Sequence, residues 1–199
     1  MPPLPALTHL LYLHGFRSSP QSTKARKMAA WVAEHRPALT WLCPQLPASP
    51  RQAARLIDEA TGSWPAATMA VMGSSLGGFY ATWLAQRRGA RAVLLNPAVD
   101  PARDLARHVG EQTSWHNSQE RFYFEPQFVN ELQALDAGPL SQPERLMAVV
   151  ATGDEVLDWR EMRARYAGCH LRIVQGSDHA LSDFEQHLPA ILDHLGLTA

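Results

Sequence analysis

The stretch Met72-Gly73-Ser74-Ser75-Leu76-Gly77-Gly78 follows a short apolar run and leads into a helical one, placing Gly-x-Ser-x-Gly at a strand-to-helix turn. Such a turn exposes a serine hydroxyl on a strained backbone, and the positions two residues either side must be small so that strand and helix can pass closely. Ser75 has Gly73 and Gly77 at those positions, whereas Ser74 has Met72 and Leu76 and does not fit. A serine hydroxyl is a weak nucleophile until a base removes its proton, and that base needs an acceptor for its own N–H. The chemistry these residues suggest is acyl transfer, with an acid and then a histidine downstream of the serine.

Both partners are present. The fifth apolar run ends Val150-Ala151-Thr152-Gly153-Asp154, and the sixth ends Val174-Gln175-Gly176-Ser177-Asp178-His179. Asp154 and His179 thus fall just past the carboxyl ends of strands, on the sheet edge where such folds bind ligands. Asp100, soon after the fourth run, competes for the acid role; Asp154 is preferred for its tight placement after a strand and a glycine, and the order acid then histidine is met either way. Asp178 reads as a turn or helix cap, and Asp158, with Glu161 three residues on, as an N-cap. His187 and His194 belong to the final helical pattern, His35 and His108 to helical stretches, and His9, His116 and His170 to loops or strand starts, all read as structural or solvated.

Acyl transfer also needs donors for a developing oxyanion. One is the backbone N–H of Leu76, at a helix N-terminus; the other is expected from the loop after an early strand. The first run leads into His14-Gly15-Phe16-Arg17-Ser18-Ser19, which makes the Phe16 N–H the second donor and His14 a loop-ordering residue. Gly73 and Gly78 also have phosphate-loop spacing, but Phe79-Tyr80 stand where a Lys and a Ser or Thr are required, so nucleotide binding is rejected. With no His-Glu-x-x-His or clustered carboxylate–histidine spacing, no metal or other cofactor is expected.

Six apolar runs qualify as strands: Leu10–Leu13, Thr40–Leu42, Met69–Met72, Ala92–Leu95, Met147–Ala151 and Leu171–Val174. Alternating with amphipathic stretches, they predict an α/β fold with a mostly parallel sheet and helices on both faces. Ser49 and Pro50 open one helix, with Ala53, Leu56, Ile57 and Ala60 on one face; Met28, Trp31, Val32 and His35 mark another. The helix from Leu76 ends at Gly89, and one near the C-terminus carries Phe184, Leu188, Ile191, Leu192 and Leu195, with Pro189 starting or kinking it. Residues 98–143 interrupt the alternation. They carry Trp115, Phe122, Tyr123, Phe124 and Phe128, and read either as a cap of one or two helices, the best marked by Phe128, Leu132 and Leu135, or as a crossover helix with a long surface loop.

The chain has 199 residues, 46% hydrophobic and 19% charged, with formal net charge −1. A single domain of this size buries about 70% of its unfolded surface and needs no staple. The two cysteines, Cys43 and Cys169, are expected as small buried hydrophobes. Balanced charge without a basic run argues against a nucleic-acid partner and fits a neutral or amphipathic acyl substrate. The N-terminus lacks the charged region and cleavage site of a signal peptide, and Pro3 and Pro5 oppose a helical core for one, so a cytoplasmic protein is expected. No apolar run approaches the roughly 20 residues of a membrane span, so no membrane insertion is expected.

Leu-His-Gly-Phe-Arg-Ser-Ser at 13–19, Gly-Ser-Ser-Leu-Gly-Gly at 73–78, Asn-Pro-Ala-Val at 96–99, Thr-Gly-Asp-Glu-Val-Leu-Asp at 152–158 and Gly-Ser-Asp-His at 176–179 resemble the α/β-hydrolases, and within them the small bacterial YqiA-like esterases, over nearly the whole chain. The resemblance implies a Ser75–His179–Asp154 triad with the Phe16 and Leu76 amides as oxyanion hole. It also implies esterase or thioesterase activity, with acyl esters or acyl-coenzyme A as substrates. If Leu10–Leu13 feeds the oxyanion loop, the fold is a minimal one without the leading antiparallel pair of larger members. A peptidase or cofactor-free haloperoxidase would use the same three residues, and a reading of another class is a degenerate hydrolase fold that binds a small molecule or protein partner.

Overall fold

The computed structural model describes residues 5–198 and lays the apolar runs down as parallel strands joined by helices. In chain order the elements are β1 (His9–Leu13), α1 (Thr23–His35), β2 (Thr40–Leu42), α2 (Pro50–Thr61), β3 (Met69–Ser74), α3 (Leu76–Arg88), β4 (Arg91–Leu95), α4 (Pro101–Leu105), β5 (Gly110–Thr113), β6 (Arg121–Phe124), α5 (Pro126–Ala134), β7 (Leu146–Ala151), α6 (Trp159–Arg165), β8 (His170–Val174) and α7 (Phe184–Leu195). Six strands form one sheet in the order β2-β1-β3-β4-β7-β8, with every pairing parallel.

The chain runs from β1 outward to β2, then crosses back to lay β3 on the other side of β1. That reversal opens a crevice at the carboxyl ends of β1 and β3, where Leu13 pairs with Gly73. Strands β3, β4 and β7 are buried along their whole length because helices cover both faces. Edge strands β2 and β8 keep exposed positions. Alternation divides the core: Leu11, Val71, Leu94 and Val150 face the α2, α3 and α6 side, while Leu10, Met72, Val93 and Val149 face α1 and α7. Each such side chain stabilises the fold by about 1.5–3 kcal/mol when fully buried.

The helix ends follow the local chemistry. The Ser49 hydroxyl accepts the Gln52 N–H with Pro50 in the first turn of α2, and α3 stops at Gly89 in the left-handed conformation, φ +62°. Helix α7 begins at Phe184, ahead of Pro189, so the proline lies inside the helix and does not start it. Cys43 and Cys169 are only half-buried rather than interior; each packs against the rim of the core, and burial pushes their thiols up to about 12 and about 11, keeping them protonated. No helix among the described residues is long and apolar enough to cross a membrane.

Residues 98–143 contain more than helix. Between α4 and α5 lies an antiparallel hairpin, with Gly110 opposite Phe124 and Thr113 opposite Arg121. The sequence gives no sign of β5, whose residues Gly-Glu-Gln-Thr show no apolar alternation. Phe124 and Phe128 are buried, and the Phe16 ring packs edge-on to Phe122 and Phe124 at 5.8 and 5.3 Å between centroids. Trp115 and Tyr123 stay 68% and 55% exposed.

A second anchor is polar. Glu131 of α5 is buried, and one of its carboxylate oxygens accepts the Ser49 hydroxyl at 2.7 Å and the Arg51 N–H at 3.0 Å. A carboxylate at this end of α2 complements the free amides and dipole of the helix. Replacing it leaves those donors buried without an acceptor, which costs about 1–3 kcal/mol. Glu131→Ala is therefore expected to lower unfolding free energy by about 2 kcal/mol, read as an earlier urea midpoint with an unchanged slope.

Candidate active site

Helix α3 starts at Leu76, directly after β3, so the whole reversal is made at Ser75, with φ +56° and ψ −121°. Side-chain-bearing residues rarely hold this region, and the cost is of order 1–3 kcal/mol. Surrounding contacts fix it: the Ser75 N–H donates to Leu95 O at 3.0 Å, and Ser75 O accepts from Gly78 at 2.8 Å and Ala98 at 3.0 Å. Both expected glycines are needed by close approach. A Cβ on Gly73 would overlap Gly77 O, and one on Gly77 would overlap Leu13 O. A third glycine, Gly78, lets α3 press on Pro97.

The side chains after three strands converge on this turn. His179 Nε2 lies 3.0 Å from Ser75 Oγ, and its Nδ1 lies 2.8 Å from Asp154 Oδ2. With Nδ1–H donating to the carboxylate, Nε2 is left to accept the Ser75 hydroxyl. The Asp154 side chain is wholly buried, and its other oxygen accepts the N–H groups of Val156 and Leu157, both at 2.8 Å. Asp100 takes no part: it is exposed and caps α4 by accepting the Arg103 N–H at 3.1 Å. Asp178 accepts the Ser182 N–H and hydroxyl, which hold its carboxyl below the usual range, and Asp158 caps α6 through the Arg160 N–H.

His14 has a different office. It is buried, its Nε2 accepts the Leu46 N–H at 3.0 Å and its Nδ1–H donates to Gly15 O at 3.0 Å, while burial pulls its pKa below the ordinary value. A neutral ring in that tautomer orders the 14–16 loop. Gly15 lies directly against the serine, since a Cβ there would stand 3.2 Å from Ser75 Cβ. Next to it, Arg17 at φ +60° donates from Nε to Thr113 O at 2.6 Å and lies 4.1 Å over the Trp115 ring, tying the loop to the hairpin. Phe16 and Leu76, the two residues whose amides are expected as oxyanion donors, both line the same cavity as Ser75 and His179. That cavity has a volume of about 740 Å³ and also takes Leu105, Leu157 and Trp115 into its wall. No group of three or more potential metal ligands comes together among the described residues.

Sequence reasoning assigned no role to Asn96. It is buried at φ +41°, and its amide nitrogen donates to the carbonyls of Asp178 at 3.0 Å and His179 at 3.2 Å, while its oxygen accepts the Ala151 N–H at 2.8 Å. One side chain thus clamps the end of β7 to the loop that carries His179. The available signal was an Asn-Pro pair closing a strand, since asparagine tolerates left-handed backbone. Glu155 adds a further tie by accepting the His179 N–H at 3.0 Å, and Gly153 lets the β7 loop meet Ser177 O where any Cβ would collide. Asn96→Ala is expected to cost about 2–4 kcal/mol through the unpaired Ala151 N–H and the strained φ. Thermal unfolding would measure it, and a shift no larger than that of a surface substitution would contradict the clamp.

Comparisons with known proteins agree with this architecture. The chain is similar to the α/β-hydrolase GrgF from Penicillium sp. sh18, at 16% identity and TM-score 0.70 over 96% of this chain and 89% of that one. It is similar to a monoacylglycerol lipase of Paleococcus ferrophilus, at 14% identity and TM-score 0.70 over 97% of each. A structure from the metagenome-derived lipolytic enzymes LipS and LipT matches at 18% identity and TM-score 0.69, over 97% of this chain and 95% of that one. These likenesses establish an α/β-hydrolase fold. The sequence profile of the Uncharacterised protein family (UPF0227) matches residues 9–196, and the chain, which has the α/β-hydrolase fold, belongs to that YqiA-like family.

Proposed function

We propose that this protein is a serine hydrolase that cleaves acyl esters or acyl thioesters through an acyl-enzyme, with residues 98–143 acting as a cap over the acyl cavity. The observation that carries the reading is the unbroken hydrogen-bonded chain from Ser75 Oγ through His179 to Asp154, at 3.0 and 2.8 Å, opening on that cavity. In this reading Ser75 Oγ attacks the substrate carbonyl as His179 Nε2 takes its proton. The resulting imidazolium gives that proton to the leaving alcohol or thiol, and water, activated by the same ring, then releases the acid. Asp154 keeps Nδ1 protonated and stabilises the imidazolium without itself becoming protonated.

The tetrahedral oxygen would be held by the amides of Leu76, at the start of a 13-residue helix, and Phe16, beside Gly15. Each donor contributes about 3 kcal/mol of barrier lowering. The similarity to lipolytic enzymes and a monoacylglycerol lipase supports carboxylic ester bonds as the target.

A fluorophosphonate probe tests the nucleophile: the wild-type protein labels stoichiometrically and Ser75→Ala does not, whereas full labelling of Ser75→Ala would overturn the assignment. On p-nitrophenyl butyrate, Asp154→Asn is expected to lose about 10⁴-fold in kcat through the wrong imidazole tautomer. Asp100→Asn, which removes only a charge and leaves an oxygen to cap α4, should change kcat less than about threefold; the reverse order would transfer the acid role.

A further inference from the structure

Within the cavity the charge is uneven although the chain as a whole is balanced. Arg17, Lys24, Lys27 and Arg107 line it against Asp104 and Glu155. Arg17 is engaged with the hairpin, Lys27 pairs with Glu185 at 2.8 Å, and Asp104 pairs with Arg103 at 2.8 Å. Lys24 is held differently. It is half-buried in the first turn of α1, and its ammonium donates to Ala180 O, next to His179. Burial pulls it down to about 8 against the pull of Asp178 and Asp154, so it remains mostly charged at neutral pH.

The helix that carries Lys24 presents an unfilled terminus. The N-cap residue Ser22 makes no side-chain cap bond, and the first turn holds no acid. A terminus of this kind carries roughly half a positive charge and free amides. The Ser22 Oγ is thus buried without a hydrogen-bond partner, and independently of the helix the buried Tyr12 Oη on the same cavity lacks one as well. Tyr12 is wholly buried, and desolvation drives its pKa far up against the opposing effect of the nearby Ser74 hydroxyl, so the phenol stays protonated and is a donor. Leaving such a donor unmatched costs about 1–3 kcal/mol, which an acceptor in the cavity would recover.

We propose that the α1 N-terminus, Ser22, Lys24 and the Tyr12 hydroxyl form an anion subsite of the cavity that receives a carboxylate carried by the substrate. This rests on the hydrolase reading above and specifies its substrate class. A single ammonium, already opposed by Asp154 and Asp178, matches a singly charged carboxylate better than a dianionic phosphate. An amphipathic ester with one acidic end satisfies both the apolar wall and this corner.

Three esters test it: p-nitrophenyl pentanoate, the p-nitrophenyl monoester of glutaric acid, and the pentanoyl ester of 4-hydroxybenzoate, which places the carboxylate in the acyl or the alcohol part at similar size. The wild-type kcat/KM for one charged ester is expected to exceed that of the neutral ester by about tenfold or more, and which one identifies the side that enters the subsite. Lys24→Met should abolish that ratio, and Tyr12→Phe, which removes one oxygen and keeps the packing, should reduce it at least threefold. A wild-type preference for the neutral ester over both others, or a ratio that survives both substitutions, would overturn the subsite. Fluorophosphonate labelling of Ser75 run alongside separates the two failures: intact labelling without anion preference sinks the subsite alone, and no labelling of the wild type sinks the hydrolase reading beneath it.

Discussion

The first turn of helix α3 meets the carboxyl ends of β1 and β3 backbone to backbone, and the rest of the site is arranged around that contact. Gly73 faces Gly77 O, and Gly77 faces Leu13 O, at separations that exclude even a methyl group. To make the reversal in so little space the backbone at Ser75 must take φ +56°, a conformation costing of order 1–3 kcal/mol. The hydrogen bond from the Ser75 N–H to Leu95 O and those from the Gly78 and Ala98 N–H groups to Ser75 O offset that cost and leave the hydroxyl as the group that projects from the turn. The same contact brings Gly15 against Ser75 Cβ, so the loop after β1 and the turn after β3 share one wall of the cavity.

Around that fixed point, three strand ends are stitched together by polar groups with few partners to spare. Asn96 spans β4, β7 and the His179 loop with three hydrogen bonds, Thr152 accepts the Gly176 N–H at 2.9 Å, and Glu155 accepts the His179 N–H. Asp154, sealed from solvent, has both oxygens occupied by N–H donors. A buried carboxylate is tolerable only when its acceptors are satisfied in this way. The left-handed residues Arg17, Ser75, Asn96 and Ser177 all fall in these loops, so backbone strain gathers where side-chain direction must be fixed.

The segment 98–143 is joined to this frame by contacts of opposite character, among them an aromatic and a polar one. Phe16 meets Phe122 and Phe124 in an aromatic cluster, while Glu131 completes the N-terminus of α2. The aromatic residues are visible in the sequence, but their division into buried Phe124 and Phe128 and exposed Trp115 and Tyr123 follows from the hairpin, which polar β5 does not announce. The role of Glu131 is equally silent, because its acceptors' partners lie about eighty residues away on another helix.

Local sterics and periodicity are written in short stretches of chain, which is why the parallel sheet, the caps at Ser49 and Asp158, the stop at Gly89 and the glycine-flanked Ser75 turn were legible from residue order alone. The caps, the stop and the turn each depend on neighbours within four positions, and the sheet shows through the short apolar runs that make its strands. The identity of the carboxylate beside His179 is another kind of fact. Asp154 and Asp100 both follow a strand, and only the pairing of β7 with β8, together with the close passage of Gly153 by Ser177, turns Asp154 inward while Asp100 faces solvent as a cap. Asn96, Glu131 and the unmatched hydroxyl of Tyr12 likewise acquire meaning through groups far away in sequence. A side chain's type fixes what it can donate or accept; the order of strands in the sheet decides which donor or acceptor it meets.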